Sequence, residues 1–182
     1  MQTIYAEPVS LCEQETQYMS ESLFWQIIER SCSGSVDCFD QCRKLTVLLE
    51  ALSPEQISAF DTEFRSKLAE AYRWDLWGAA YLVMGGCSDD GFEVFRAWLI
   101  GQGQDAYTDV VSDPETLLDY LPEEGDLDGE MLLYCAAEAY AQKTGQTLPP
   151  PEIEPAQTPE GEPWDEADLR EMFPALWEFQ RG

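Results

Sequence analysis

Ser53-Pro54-Glu55-Gln56-Ile57-Ser58-Ala59-Phe60 is the stretch whose reading decides the fold. The serine hydroxyl can accept an orphan N–H, and the proline sits at the first helical position, where its missing donor costs nothing. The glutamine three residues after the serine completes a capping box. A long helix must start there. Ile57, Phe60, Phe64, Leu68 and Ala71 give it a buried stripe, and Asp61, Glu63, Arg65 and Lys67 lie mostly off that stripe.

The same helical period continues in both directions. Upstream, Leu23, Phe24, Ile27 and Ile28 predict a helix over about 21–31. Asp37 then reads as the N-cap of a second helix, whose apolar positions run from Phe39 through Cys42, Leu45, Leu48 and Leu49 to Leu52. Downstream, Trp74 to Met84 is apolar on nearly every side, the pattern of a helix central to the core. Gly85-Gly86 breaks the chain, and Ser88-Asp89-Asp90 restarts it with a cap and two first-turn carboxylates ahead of Phe92, Phe95, Trp98 and Leu99. Tyr107, Val110 and Val111 form a short segment, Asp113-Pro114-Glu115 caps another around 117–121, and a further helix spans about 129–143. No stretch alternates with period two, so the expected class is all-α: one compact multi-helix domain over 21–146, preceded by a loose arm over 1–20. Residues 147–163 hold six prolines and four glutamates and read as an extended linker. Residues 164–182 read as a tail helix anchored by Leu169, Met172, Phe173, Leu176, Trp177 and Phe179, which docks on its own domain or in a partner's groove.

Composition narrows the function classes. Thirty-six acidic residues against ten basic ones give a net charge of −26 over 182 residues, a field that repels nucleic-acid phosphates and anionic lipid heads. No apolar run reaches the roughly 20 residues that cross a bilayer. Met1 to Pro8 carries neither a basic residue nor an apolar core of the secretory kind, and the expected location is the cytoplasm. The expected partner is a basic protein, with no direct nucleic acid and no membrane. Such an excess of carboxylates also serves solubility alone. The six cysteines are expected as reduced, mostly buried thiols. A zinc site can be drawn through Cys32, Cys38 and Cys42, but a fourth ligand is missing locally and the chain has no histidine.

Trp74-Asp75-Leu76-Trp77-Gly78-Ala79-Ala80-Tyr81, Gly85-Gly86-Cys87-Ser88-Asp89-Asp90-Gly91-Phe92, Phe95-Arg96-Ala97-Trp98-Leu99-Ile100 and Gly101-Gln102-Gly103 follow one another in a dense motif. With Phe24-Trp25, Leu52-Ser53-Pro54-Glu55 and Asp113-Pro114-Glu115, it resembles the bacterial domain of unknown function 4240 family over about residues 21–143. The resemblance implies a helical bacterial domain and brings no activity with it.

Chemistry centres on Ser88, Asp89 and Asp90, with Cys87 beside them and Arg96 two turns on. Two carboxylates and a hydroxyl at a helix start suit a divalent ion or general acid–base work. They equally suit the orphan N–H groups and dipole of that helix. Cys87 stands where a thiol pKa is lowered, but no histidine is present to serve as its base. Glu124, Asp126, Asp128 and Gly129 copy part of a calcium loop whose closing position is Cys135, and they read as an acidic loop. The expected ligand- or partner-binding residues are Trp74, Trp77, Asp89, Asp90, Arg96, Trp98 and Trp177, with no cofactor and no metal. The expected function is a non-enzymatic binding or regulatory module, of the immunity or inhibitor type. A metal-assisted hydrolase built on Asp89 and Asp90, and a scaffold acting through its tail, are the alternatives.

Overall fold

The computed structural model describes residues 19–122, 127–151, 153 and 156–181. The N-terminal arm, apart from Met19 and Ser20, lies outside the described residues, as do Cys12, Glu124 and Asp126. The helices, in chain order, are α1 (Glu21–Cys32), α2 (Cys38–Glu50), α3 (Pro54–Glu70), α4 (Trp74–Met84), α5 (Asp89–Gly101) and α6 (Gln104–Ser112). Two 3₁₀ segments follow, Pro114–Tyr120 and Glu130–Tyr134; then come α7 (Cys135–Thr144), α8 (Leu169–Met172) and α9 (Pro174–Arg181). The class is all-α, with no strand among the described residues.

The caps form as the residue types dictate. Ser53 Oγ accepts from Gln56 N–H at 3.3 Å, and Gln56 Oε1 accepts from Ser53 N–H at 3.0 Å, so both halves of the capping box are present. Asp37 caps α2 through the N–H of Asp40, and Ser88 caps α5 through the N–H of Gly91. Gly85 ends α4 in the left-handed region at φ 67°, donating to the carbonyls of Leu82 and Tyr81. Three readings shift in type. The Tyr107–Val111 segment is a full helix, while the pieces near 117–121 and at the start of 129–143 tighten into 3₁₀ turns.

Phe24, Ile28, Leu45, Leu49, Ile57, Phe60, Leu76, Phe92, Phe95 and Leu99 meet in one core. There α2 and α3 both pack on α7, and α1 closes over α2. The all-round apolarity of α4 has a specific cause. Leu76, Ala79, Ala80 and Leu82 are buried with the core. On the Gly78 side the tail covers the helix, with Leu169, Phe173 and Trp164 against that glycine. Pro174 splits the tail into α8 and α9, because its ring cannot continue the preceding helix. Leu169, Phe173 and Leu176 are buried, whereas Met172 and Phe179 stay exposed. The tail thus docks on its own domain. Ala175 N–H donates to Glu115 Oε1 at 2.8 Å and ties α9 to the first 3₁₀ segment.

The described residues of the proline-rich stretch form no helix and lie along the domain. Glu160 N–H donates to Tyr72 O at 2.8 Å, Trp74 N–H donates to Glu160 O at 2.9 Å, and Trp164 Nε1 donates to Trp74 O at 2.7 Å. Leu148 is half-buried against the core.

The glycine of the calcium-like pattern has a packing task. Gly129 donates to Val94 O, and a Cβ there would meet the α5 backbone, 2.6 Å from Ala97 C and 2.7 Å from Trp98 Cα. Those atoms are helix backbone and cannot give way to a methyl group. Gly129→Ala is therefore expected to lower stability by about 3 kcal/mol, at the upper end for overpacking, read as a fall in the urea midpoint with unchanged slope.

Candidate functional site

A cleft of about 680 Å³ opens between α3, the start of α5, Ala137 of α7 and the proline-rich stretch. From α3 come Asp61, Arg65, Leu68 and Ala69; Tyr72 follows the helix; α5 supplies Asp89, Asp90, Glu93 and Arg96. The opposite wall is Thr147 to Pro151 with Ile153 and Ala156.

Arg96 forms the floor. It is 8% exposed, and no carboxylate among the described residues lies within ion-pair distance of it. Its Nη1 donates to Leu68 O at 2.6 Å and its Nε to Phe92 O at 3.3 Å. The guanidinium lies 4.5 Å from the Tyr72 ring centre and 4.9 Å from that of Phe92, within cation–π reach of two rings that neighbour each other at 6.1 Å. Burial pushes its pKa down, with Glu93, Tyr72 and Asp89 opposing, and a guanidinium stays protonated regardless. The Tyr72 hydroxyl donates to Asp89 Oδ1 at 3.1 Å. Burial and then that hydrogen bond raise the Tyr72 pKa.

Asp61 was expected mostly off the buried stripe of α3; it is 5% exposed, because α7 packs over that side of the helix. Arg65 Nε stands 3.5 Å from its Oδ1, and Arg65 Nη2 donates to Leu133 O at 3.0 Å. Burial raises the Asp61 pKa, and Arg65 only partly offsets this.

Of the expected site residues, Asp89, Asp90 and Arg96 come together in the cleft. Ser88 borders it as the α5 cap. Trp74 and Trp77 stack on each other at 5.3 Å and continue into Phe92 and Trp164, an aromatic column that joins α4 to the tail and does not line the cleft. Trp98 is buried beside Phe95, out of reach of a surface ligand. Trp177 belongs to the docked tail, 6.0 Å under the Arg181 guanidinium. Cys87 departs from the lowered pKa that its place suggested, since burial pushes its thiol up to about 11. No group of three or more His, Cys, Asp or Glu side chains converges to hold a metal ion among the described residues. Cys32 and Cys38 do not join Cys42 in such a set, and Asp128 Oδ1 accepts from Glu130 N–H as a local turn. Asp61, Tyr72 and Glu93 escaped sequence reasoning. The available signal was Asp61 next to the apolar stripe, with Arg65 one turn later.

Two outcomes follow from these contacts. Ser88→Ala removes the α5 cap and should cost about 1 kcal/mol in chemical denaturation. Asp61 keeps its proton to a higher pH when folded than when unfolded. Its contribution to stability therefore falls as pH rises from the ordinary value of 3.8 through the raised folded value. Asp61→Asn should accordingly gain on the parent across that interval and be at least as stable at pH 7, measured as urea midpoints over a pH series.

No curated protein and no solved structure matches this chain. The family described as Protein of unknown function (DUF4240) matches residues 19–142, which run from just before α1 almost to the end of α7. Asp61, Tyr72, Asp89, Asp90, Glu93 and Arg96 fall inside that span, and the proline wall and tail fall outside it. With most of its length matched, the chain belongs to the DUF4240 family.

Proposed function

We propose that the protein is a non-catalytic acidic binding module whose cleft receives a basic segment of a partner protein, in the manner of an immunity-type inhibitor acting in the cytoplasm. The observation that carries this reading is the balance of charge inside the cleft. Arg65 is occupied by Asp61 and the Leu133 carbonyl, and Arg96 by main-chain carbonyls and aromatic rings. Asp89, Asp90 and Glu93 remain exposed at the rim, with no basic side chain within 4.0 Å among the described residues. They face Leu148, Pro149, Pro150, Pro151 and Ile153. Such a cleft suits lysine or arginine side chains, whose aliphatic stems lie on the prolines while their charged ends meet the carboxylates. The net charge of −26 steers a cationic partner toward it.

Metal-assisted hydrolysis draws less from this geometry. Asp89 and Asp90 are adjacent on one helical turn, one Asp89 oxygen is held by Tyr72, and no third ligand stands with them among the described residues.

Titration with short peptides of alternating lysine and valine tests the reading by fluorescence anisotropy. Affinity should fall at least about tenfold between low and high salt, because screening shortens the reach of the field. Neutralising Asp89, Asp90 and Glu93 together (Asp89→Asn, Asp90→Asn, Glu93→Gln) should weaken binding about tenfold or more. Neutralising Asp105, Glu162 and Glu178, which lie outside the cleft, should leave most of it. Equal losses in the two triple variants would mean that net charge alone attracts the peptide and the cleft is not the site.

A further inference from the structure

Cys42, in the first turns of α2, and Cys135, the first residue of α7, are 93 positions apart in the chain, yet their sulfurs lie 2.6 Å from each other. The two thiols thus face each other directly, and a bonded pair would stand at about 2.05 Å. Both side chains are buried, Cys42 at 5% exposure and Cys135 at 0%. The Met131 carbonyl lies 3.5 Å from the Cys42 sulfur and 3.4 Å from that of Cys135. The helices that carry them pack directly on each other, which holds the two residues together in the folded chain. No other two cysteines among the described residues are in sulfur contact.

We infer that Cys42 and Cys135 are a dithiol–disulfide couple that cross-links α2 to α7 when a small disulfide oxidant is present. The Cys42 thiolate attacks one sulfur of a low-molecular-weight disulfide RSSR, forming a mixed disulfide and releasing RS⁻. The Cys135 thiolate then attacks the Cys42 sulfur, forming the Cys42–Cys135 bond and releasing the second RS⁻. Two protons leave the cysteines and are taken up by the two released thiolates, and two electrons pass from the cysteines to RSSR, which ends as two RSH. The first attack falls to Cys42, which is 5% exposed where Cys135 is fully enclosed, and its hydrogen bond with Cys135 lowers its pKa. Access comes through the 3₁₀ segment Glu130–Tyr134, a short turn that lies over the pair and exposes Met131 and Tyr134 to solvent. The cross-link closes a long loop, so it should hold the native state firmly against unfolding.

The test equilibrates the native full-length chain in buffers of graded reduced to oxidised glutathione. Free thiols are then blocked, and the chain is digested without reduction for mass spectrometry. A peptide containing Cys42 joined to one containing Cys135 should be the dominant cross-link. The oxidised chain should melt higher than the reduced one by an amount on the order of 10 °C, reversed by dithiothreitol. In Cys135→Ala, Cys42 should stop at the mixed disulfide with glutathione, and the thermal shift should vanish. If that variant does not fold, the parent's cross-link map decides by itself. The inference is overturned if both cysteines stay blocked as free thiols at every ratio, if another pair dominates, or if the oxidised parent melts no higher than the reduced one.

Discussion

A single buried cation holds the cleft end of this molecule together. Arg96 reaches from α5 to the Leu68 carbonyl in the last turn of α3, where a helix leaves its acceptors unsatisfied. It also bonds its own helix at Phe92 and packs against both the Tyr72 and the Phe92 ring. A charge taken out of water needs partners for its donors, and here they are carbonyls and aromatic faces instead of a carboxylate. This choice leaves the nearby acids unspent. Were Asp89 or Glu93 paired to Arg96, one of the three rim carboxylates would be neutralised.

Tyr72 extends that knot in three directions. Its ring covers Arg96, its hydroxyl holds Asp89, and its carbonyl accepts from Glu160 in the proline-rich stretch. One residue therefore sets the floor, an acidic side chain and the attachment of the opposite wall. The second attachment is Trp164, whose indole N–H bonds the Trp74 carbonyl while its ring meets Trp74 and Tyr81. Segments beyond the family span thus complete a cleft whose charged half lies inside it.

The tail answers a second constraint. A helix with apolar residues all round is unstable on a surface, so α4 requires cover on the side facing away from the core. Gly78 provides the space, with Leu169, Phe173 and Trp164 packed where a side chain would stand. This leaves the tail bound to its own chain and argues against its use as a free hook for other proteins. Asp61 shows the opposite economy, since a carboxylate buried beside a partly exposed arginine opposes folding at neutral pH. It stands on the cleft wall.

The starts of α2, α3 and α5, the left-handed stop at Gly85 and the all-α class were legible because each rests on residues within one or two turns of one another. A cap, a proline at the first position and an apolar stripe act locally, and Asp37, Ser53-Pro54-Gln56 and Ser88 behave as their types require. The grouping of Asp89, Asp90 and Arg96 was legible for the same reason, since all three lie on one helix. The burial of Asp61 depends on where α7 falls, the role of Tyr72 on the approach of three separate segments, and the meeting of Cys42 with Cys135 on packing across 93 residues. The sequence by itself determined which segments are helices and how strongly the surface is charged. Only the tertiary structure decided which of those charges lost their water and which thiols met, because desolvation and contact are sums over neighbours distant in the chain.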